Sequence, residues 1–193
     1  FKNKKPFFVL IWYSTPHRDF EASQKDVAPY VGRTDESSAL QLGELAAMDR
    51  SLGTLRQGLR DLDIDQNTLV WFTSDNGPTF NGGTDTPYFD SAKPFKTEYG
   101  WAKCFVNEGG IRVPMIAHWP KMIKKEQRSN LISAFQDMMP TFCEIAGIKP
   151  PKNINGISLL PTLIGEKQNE THKYLYWEFP AYNGQQAVRM NNW

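Results

Sequence analysis

Two polar side chains stand side by side at a point where the sequence could bind a cation. Leu69–Phe72 is a continuous apolar run, and after Thr73-Ser74 it passes into Asp75 and Asn76. A carboxylate and an amide oxygen in this position suit a hard cation such as Ca²⁺ or Mg²⁺. Asp and Asn are also ordinary residues of a β-turn. The dipeptide alone therefore leaves a metal site and a plain turn as alternatives.

A histidine follows the other apolar run of the same kind. Pro6–Tyr13 ends in Ser14-Thr-Pro-His17, so that a titratable side chain comes just after a predicted strand. Ligands of open α/β sheets bind at the carboxyl ends of strands, and imidazole titrates near neutral pH. His17 is therefore either a functional group or an exposed loop residue. Lys103, judged from its neighbours alone, is a solvated surface charge.

The elements that must position these side chains follow from the hydrophobic pattern. Both apolar runs are short and rich in β-formers, which is typical of strands buried on both faces of a parallel sheet. Between them, apolar residues from Leu42 to Leu62 recur at steps of three and four. This pattern predicts a helix that begins near Ser37-Ser38 and carries Glu44 on its polar face. The order strand, helix, strand then favours a right-handed parallel crossover.

The rest of the chain alternates between loops and short elements. Residues 18–37 and Thr79–Gly100 are predicted as loops, and the aromatic residues of the second loop either stack on sugar or aryl rings or pack against their own scaffold. Asp137 is the predicted N-cap of a helix that ends at Gly147. The remaining predictions are strands at Val113–Trp119 and Leu131–Phe135, a helical turn at Ser158–Leu163, and an antiparallel pair of Tyr174–Phe179 with Ala187–Arg189 across Asn183-Gly184.

Composition excludes several classes of protein. A net charge of +1 provides no general field for nucleic acid or for a membrane surface. The longest apolar run is far too short to span a bilayer. The two cysteines and three histidines are scattered, which argues against a zinc site or a disulfide framework. Neither of the glycine-rich phosphate-binding motifs occurs.

Several motifs in a fixed order resemble one known family. They are Thr15-Pro-His17, the Leu42–Leu62 helix leading into Phe72-Thr-Ser-Asp-Asn-Gly-Pro78, Lys103 ahead of Glu108-Gly-Gly-Ile-Arg-Val-Pro114, Asp137 to Gly147, and Gly156-Ile-Ser-Leu-Leu-Pro161. Together they resemble the C-terminal half of a sulfatase, the formylglycine-dependent family of the alkaline phosphatase superfamily. The resemblance implies an α/β fold, with a partial alkaline-phosphatase-like sheet flanked by helices. It also implies that residues 1–168 belong to the catalytic domain and that 169–193 begin a small antiparallel C-terminal subdomain.

The resemblance also implies roles for four residues. Asp75 and Asn76 match the second pair of ligands to a divalent cation, usually Ca²⁺ and otherwise Mg²⁺. His17 matches a histidine near the leaving oxygen of the sulfate ester, and Lys103 matches a lysine that contacts the sulfate. Glu108, Gly109, Gly110 and Arg112 are expected to be scaffold, through an ion pair and a tight turn. The chain departs from the family pattern at Asp19, Cys104 and Asn107, where Pro, Gly and Trp are common.

Other parts of the family pattern do not occur in this sequence. Neither cysteine stands in the C-x-P-S-x-R or C-x-A-x-R setting that yields formylglycine, and the first Asp-Asp metal pair and a Lys-x-His segment are missing. We therefore expect a fragment whose partner is the missing N-terminal half, and which alone does not hydrolyse sulfated small molecules or glycans. The family implies a secreted, periplasmic or lysosomal parent. Alternatives are a phosphodiesterase or phosphonate hydrolase of the same superfamily, or a non-catalytic relative that binds glycans.

Overall fold

The computed structural model describes residues 5–17, 19–79, 92–124 and 126–193. Within these ranges the chain forms five α-helices and two separate two-stranded sheets. In chain order the elements are α1 (Gln24–Val27), α2 (Glu36–Asp61), β1 (Val70–Thr73), α3 (Glu108–Ile111), β2 (Met115–His118), α4 (Met138–Ile145), α5 (Leu160–Ile164), β3 (Leu175–Phe179) and β4 (Gln185–Arg189).

The long helix predicted from the leucine spacing is confirmed as α2. It begins after Asp35, whose carboxylate accepts hydrogen bonds from the Ser38 backbone N–H at 3.1 Å and from the Ser38 hydroxyl at 2.6 Å. These bonds lower the pKa of Asp35 below its usual range, and they satisfy a donor that every helix start leaves open. The cap therefore explains why the helix starts where it does.

The polar face assigned to α2 was wrong at Glu44. This side chain is buried, and its Oε1 accepts the backbone N–H of Glu21 at 2.9 Å. The segment predicted as a loop over residues 18–37 contains α1, which packs on α2. Gly43 permits that approach, because a Cβ there would lie 2.9 Å from the Cβ of Ala22. The helix α1 therefore packs on α2, in a region where the residue pattern alone placed Glu44 on the solvent-exposed face.

The sheet that carries the Asp75 turn is antiparallel, which corrects the predicted parallel crossover. β1 pairs with β2 so that Val70 lies opposite His118 and Thr73 opposite Met115. The side chains of β1 are only half-buried, so the strand is not covered on both faces. The strand that pairs with β1 comes from later in the chain. Within the described ranges, α2 therefore does not connect two parallel strands of one sheet.

The apolar run Pro6–Tyr13 was predicted as a buried strand, and this prediction was wrong. In the described part of the chain it belongs to no helix or strand, and Phe8, Leu10 and Trp12 are 68%, 60% and 81% exposed. The ring of Phe8 contacts that of Phe142 on α4, with 5.3 Å between ring centroids. Most of the side chains of the run are therefore exposed.

Helix α4 forms as predicted with Asp137 at its N-cap position, but the Asp137 side chain makes no capping hydrogen bond to the helix. The carboxylate instead accepts the backbone N–H groups of Ala134 at 2.8 Å and Ile157 at 2.9 Å, and it lies 2.8 Å from Nε2 of His172. Asp137 is fully buried. The predicted strand at Leu131–Phe135 is absent from the structure, because its end turns into a 3-10 helix that brings Asp137 to these partners.

The C-terminal antiparallel pair is confirmed. β3 pairs with β4, with Leu175 opposite Arg189 and Phe179 opposite Gln185. The connecting turn contains three consecutive residues in the left-handed region, of which Asn183 and Gly184 are suited to it. The guanidinium of Arg189 pairs with the Glu108 carboxylate at 2.6 Å and so fastens the hairpin to α3.

Candidate active site

The four residues proposed from the sequence to do chemistry line one cleft. His17, Asp75, Asn76 and Lys103 all border an open cavity of about 2820 Å³. The apolar stripe of α2 and the exposed run Pro6–Tyr13 form other parts of its wall. A cleft this large does not by itself bring side chains into contact. How they are held relative to one another depends on the loops that carry them.

The Asp75 turn keeps its carboxylate at the surface. Oδ1 of Asp75 accepts the backbone N–H of Asn76 at 2.9 Å, and Oδ2 accepts the Asn76 side-chain amide at 2.6 Å. The Ser74 hydroxyl donates to the carbonyl of Asn76 at 2.9 Å and closes the turn. Asp75 is exposed. Its negative charge is therefore paired with no cationic side chain in the described ranges and remains available to a ligand.

The chemistry of this turn fits one side of a site for a hard cation. Asp75 and Asn76 offer adjacent oxygen donors, and Ca²⁺ takes six to eight oxygen ligands in total. Among the described residues, no group of three or more His, Cys, Asp or Glu side chains is arranged to hold a metal. A cation here would therefore need further ligands from water or from other residues.

Backbone contacts hold the Asp75 turn against the Glu108-Gly-Gly segment. The N–H of Gly77 donates to the carbonyl of Gly110 at 2.8 Å. A Cβ on Gly77 would lie only 1.8 Å from the carbonyl oxygen of Gly109, and one on Gly109 only 2.1 Å from that of Lys96. The two segments thus approach more closely than any side chain permits. This contact was missed in the sequence, where the glycines were explained by a tight turn alone.

Lys103 is connected to the same turn. Its backbone N–H donates to the carbonyl of Pro78 at 2.8 Å, which lies two residues after Asn76. Its side chain is half-buried, and no ion pair of its ammonium occurs in the described parts of the chain. Cys104 follows with a φ of 73°, in the left-handed region. The family's preference for glycine at this position now has a physical reason, since only glycine adopts that φ without strain.

The scaffold role expected of the Glu108 segment has specific partners. Arg112 pairs with Glu108 at 3.0 Å one helical turn away, and its guanidinium lies 4.9 Å from the centre of the Phe95 ring. Phe95 therefore packs against its own scaffold. Asn107 stands where the family has Trp, and its side-chain amide donates to the carbonyl of Gly100. Tyr88 and Phe89, the other loop aromatics considered for stacking, lie outside the described residues.

His17 reaches the cleft from the end of the exposed apolar run. Its backbone N–H donates to the Ser14 carbonyl at 2.9 Å, which forms a turn after the run, and its side chain is exposed. The sequence placed His17 just past the end of a strand, and in the structure it follows an apolar run that forms no strand.

The comparison with protein families decides the assignment. The family model described as Sulfatase matches residues 1–148. The chain belongs to the sulfatase family. Among curated proteins, it is 29% identical over 181 residues to N-acetylgalactosamine-6-sulfatase of Canis lupus familiaris. The aligned region covers 90% of this chain and 31% of that protein. The chain thus spans about a third of the length of this relative.

Solved structures agree on the fold. The sulfatase-family chain resembles the crystal structure of Ps i-CgsB with a TM-score of 0.78 at 29% identity, over 93% of this chain and 38% of that one. It also resembles BT4656 in complex with D-glucosamine-2-N,6-O-disulfate, with a TM-score of 0.62 at 26% identity, over 86% and 35%. The predicted fold class, a partial alkaline-phosphatase-like α/β fold with a small antiparallel sheet, is confirmed. A search of the described residues finds no helix of the length and apolarity that crossing a membrane requires.

Proposed function

We propose that this chain is a fragment of a sulfatase that hydrolyses sulfate esters. Residues 1–168 are assigned to its α/β catalytic domain and 169–193 to the start of its antiparallel C-terminal subdomain. The formylglycine nucleophile and the first metal-ligand pair lie outside this chain. The observation that carries the proposal is the backbone connection from the Asp75 turn through Pro78 to Lys103, because it holds an anionic and a cationic group at one edge of a cleft.

The proposed roles follow from where charge develops during cleavage of a sulfate ester. Asp75 and Asn76 would hold Ca²⁺, or Mg²⁺ in its place, and such a cation would supply positive charge against the negative charge that develops on the sulfate ester. The ammonium of Lys103 contacts the sulfuryl oxygens, and this interaction becomes stronger as negative charge builds up on them. The imidazolium of His17 gives its proton to the departing alkoxide oxygen.

The missing half of the enzyme is the proposed partner of the exposed apolar run. Phe8, Leu10 and Trp12 expose most of their side chains, and a soluble protein rarely leaves a continuous apolar surface uncovered. Strand addition from the rest of the parent would pair this backbone and bury these side chains. The parent is proposed to be secreted, periplasmic or lysosomal.

The test uses the full-length parent and compares aryl sulfate with an aryl phosphate diester at matched leaving group. We expect the sulfate ester to be preferred, and we expect Lys103→Ala and Asp75→Ala each to lower kcat/KM by about 10²–10³-fold. His17→Asn should lose most with a poor alkyl leaving group, because a good aryl leaving group needs less protonation. The control is Lys167→Ala, an exposed lysine beyond α5 that lies outside the cleft lining.

The outcomes separate the alternatives. A strong preference for the phosphate diester would identify a phosphodiesterase or phosphonate hydrolase of the same superfamily. Binding of a sulfated glycan without turnover, together with an upstream sequence that lacks the formylglycine motif, would identify a non-catalytic relative. The 193-residue chain by itself should show no turnover of aryl sulfate, and measurable turnover would overturn the fragment assignment.

A further inference from the structure

One face of β4 lies against the segment that joins Lys103 to α3. Successive side chains of a strand point to opposite faces, and in β4 residues 185, 187 and 189 are half-buried while 186 and 188 are exposed. Both ends of the half-buried face make polar contacts. Gln185 bonds to the backbone of residues 104 and 106, and Arg189 pairs with the Glu108 carboxylate at 2.6 Å. The C-terminal hairpin is therefore attached to the chain directly after the candidate lysine.

The side chain of Gln185 uses both of its polar atoms on this segment. Its Nε2 donates to the carbonyl of Cys104 at 3.1 Å, and its Oε1 accepts the backbone N–H of Val106 at 3.3 Å. These two backbone groups lie on either side of residue 105, so one side chain holds the local backbone from two directions. The contact needs a donor and an acceptor on the same side chain, which an amide supplies and an apolar side chain of equal length does not.

The backbone that Gln185 holds is in an uncommon conformation. Cys104 has a φ of 73°, in the left-handed region where a residue with a Cβ is strained. Such conformations persist only where the surrounding contacts fix them. The carbonyl of Cys104 is bonded to Gln185, and the N–H of the preceding Lys103 donates to the Pro78 carbonyl at 2.8 Å. The lysine therefore stands between one anchor on the Asp75 turn and another on the C-terminal hairpin.

We propose that Gln185 is a positioning residue for Lys103. By fixing the left-handed backbone at Cys104, it sets the direction in which the lysine side chain enters the cleft. The inference rests on the proposed function, because it requires Lys103 to contact the sulfate group. Lys103 and Cys104 border the cleft and Gln185 does not, so Gln185 acts through the backbone and not by touching a ligand. Without its two bonds the strained φ of Cys104 can relax, and the adjacent lysine turns with it.

The experiment measures kcat/KM for an aryl sulfate in the full-length parent enzyme carrying Gln185→Met. Methionine is unbranched and similar in length to glutamine, but it has neither the amide donor nor the carbonyl acceptor. We expect kcat/KM to fall by about 10-fold, a part of the loss of about 10²–10³-fold expected for Lys103→Ala. In the Lys103→Ala background, Gln185→Met should change kcat/KM by less than about twofold, because the lysine through which it acts is absent.

Two controls separate positioning of the lysine from general damage to the hairpin. Gln186→Met makes the same change at the next residue of β4, which lies on the exposed face and contacts Glu178 across the hairpin at 3.4 Å. It should leave kcat/KM unchanged. Arg189→Gln removes the ion pair at the other end of the half-buried face but keeps both bonds of Gln185. It should lower the urea midpoint while kcat/KM stays within about twofold of wild type.

The outcomes distinguish this inference from the proposed function. The positioning role is overturned alone if Lys103→Ala lowers kcat/KM but Gln185→Met does not, or if the two losses multiply in the double variant. It is also overturned if Arg189→Gln matches the loss in Gln185→Met, or if Gln185→Met fails to fold by circular dichroism, since either result assigns Gln185 to hairpin stability. If Lys103→Ala leaves sulfate ester turnover unchanged, the proposed function fails and the inference fails with it.

Discussion

Asp75 and Asp137 are the same residue type in opposite environments. Asp137 is fully buried and accepts hydrogen bonds from two backbone N–H groups, and the ring of His172, itself 7% exposed, lies against the same carboxylate. Asp75 is exposed, and its described hydrogen bonds come from the next residue along the chain. Buried polar groups that are fully bonded stabilise a fold, whereas an exposed carboxylate in a cleft is free to bind. The comparison separates the aspartate that builds the structure from the one proposed to do chemistry.

The difference extends to what surrounds each aspartate. Around Asp137 the polar network continues through Thr141, whose hydroxyl donates to the Asp137 carbonyl at 2.6 Å and accepts the N–H of Leu159 at 2.9 Å. Around Asp75 the neighbouring contacts are made by backbone groups, chiefly those of Gly77 and Gly110. The structural site is thus joined to distant segments by side chains, while the candidate site is joined to the Glu108-Gly-Gly segment chiefly by backbone groups.

The largest expected effect is on the buried aspartate. Asp137→Ala leaves two half-buried N–H groups without acceptors and removes the buried partner of His172, which should lower the free energy of unfolding by about 3–5 kcal/mol. Urea denaturation measured by circular dichroism checks this value. His172→Ala should cost less, because both backbone N–H groups keep their acceptor. A loss of under about 1 kcal/mol in Asp137→Ala would contradict the structural role assigned to the network.

The next effect concerns the backbone contact at the candidate site. Gly77→Ala places a methyl group 1.8 Å from the Gly109 carbonyl oxygen, so the two segments must separate, at about 1–3 kcal/mol in stability. Gly53→Ala on α2 is the matched control, because no atom lies within 4 Å of its added Cβ. That variant should instead gain about 0.5–1 kcal/mol from helix propensity. Equal behaviour of the two variants in thermal denaturation would refute the close contact.

Hydrophobic periodicity and local turn motifs in the sequence predicted much of this fold. The leucine spacing identifies α2, the Asn183-Gly184 pair identifies the hairpin turn, and an apolar run followed by Asp75 identifies the candidate cation turn. Each of these depends on residues within a few positions of one another. Strand direction was predicted wrongly, because β1 takes its partner from more than forty residues later and periodicity contains no information about that choice.

Contacts between distant segments account for what sequence reasoning missed. The buried Glu44 takes its hydrogen bond from Glu21, 23 positions earlier, and the partner of Asp137 is a histidine 35 positions further on. The role of Gly77 depends on Gly109, in a segment that no local pattern connects to it. The docking of the hairpin likewise depends on distant partners, since Gln185 bonds to Cys104 and Arg189 pairs with Glu108.

A smaller effect is expected at the residue after the candidate lysine. Cys104 adopts a φ of 73°, where a residue with a Cβ is strained by about 1–2 kcal/mol. Cys104→Gly removes this strain but adds entropy to the unfolded chain, so a net gain of about 0.5–1 kcal/mol is expected. Cys104→Ala keeps the Cβ and should bring no such gain. Thermal melting of the two variants distinguishes conformational strain from any property of the thiol.

The pH dependence of stability should identify a contribution from a third aspartate, Asp26, whose environment lies between those of Asp75 and Asp137. Asp26 is buried like Asp137 but pairs with an exposed cation, Arg50, through two bonds of 2.7 and 2.9 Å. The hydrogen bond from Arg50, with one from Ser23, lowers the pKa of Asp26 from 3.8 to about 2. A lowered pKa means that the folded state binds its proton less readily than the unfolded state. The contribution of Asp26 is therefore complete above pH 3.8 and is lost as the pH falls from 3.8 to about 2.

The measurement is the pH dependence of urea stability in wild type and in Arg50→Gln. The variant loses the main cause of the lowered pKa, so its stability should depend less on pH across that window. Arg60→Gln is the control, since Arg60 contacts the Gln57 side chain on the exposed face of α2. Identical pH profiles for wild type and Arg50→Gln would show that the pair does not contribute to acid stability.

The smallest expected effect on stability is at Asp75, and this makes it the sharpest test of the comparison. Asp75→Asn removes a charge that bonds to no distant residue of the described chain, so the free energy of unfolding should change by less than about 0.5 kcal/mol. Binding of Ca²⁺ or Mg²⁺, followed by calorimetry on the parent enzyme, should weaken markedly, because an amide oxygen is a poorer ligand for a hard cation than a carboxylate. A residue needed for the fold would change both quantities, and a plain turn residue would change neither. Loss of metal affinity at unchanged stability is the result that only a ligand-binding aspartate produces.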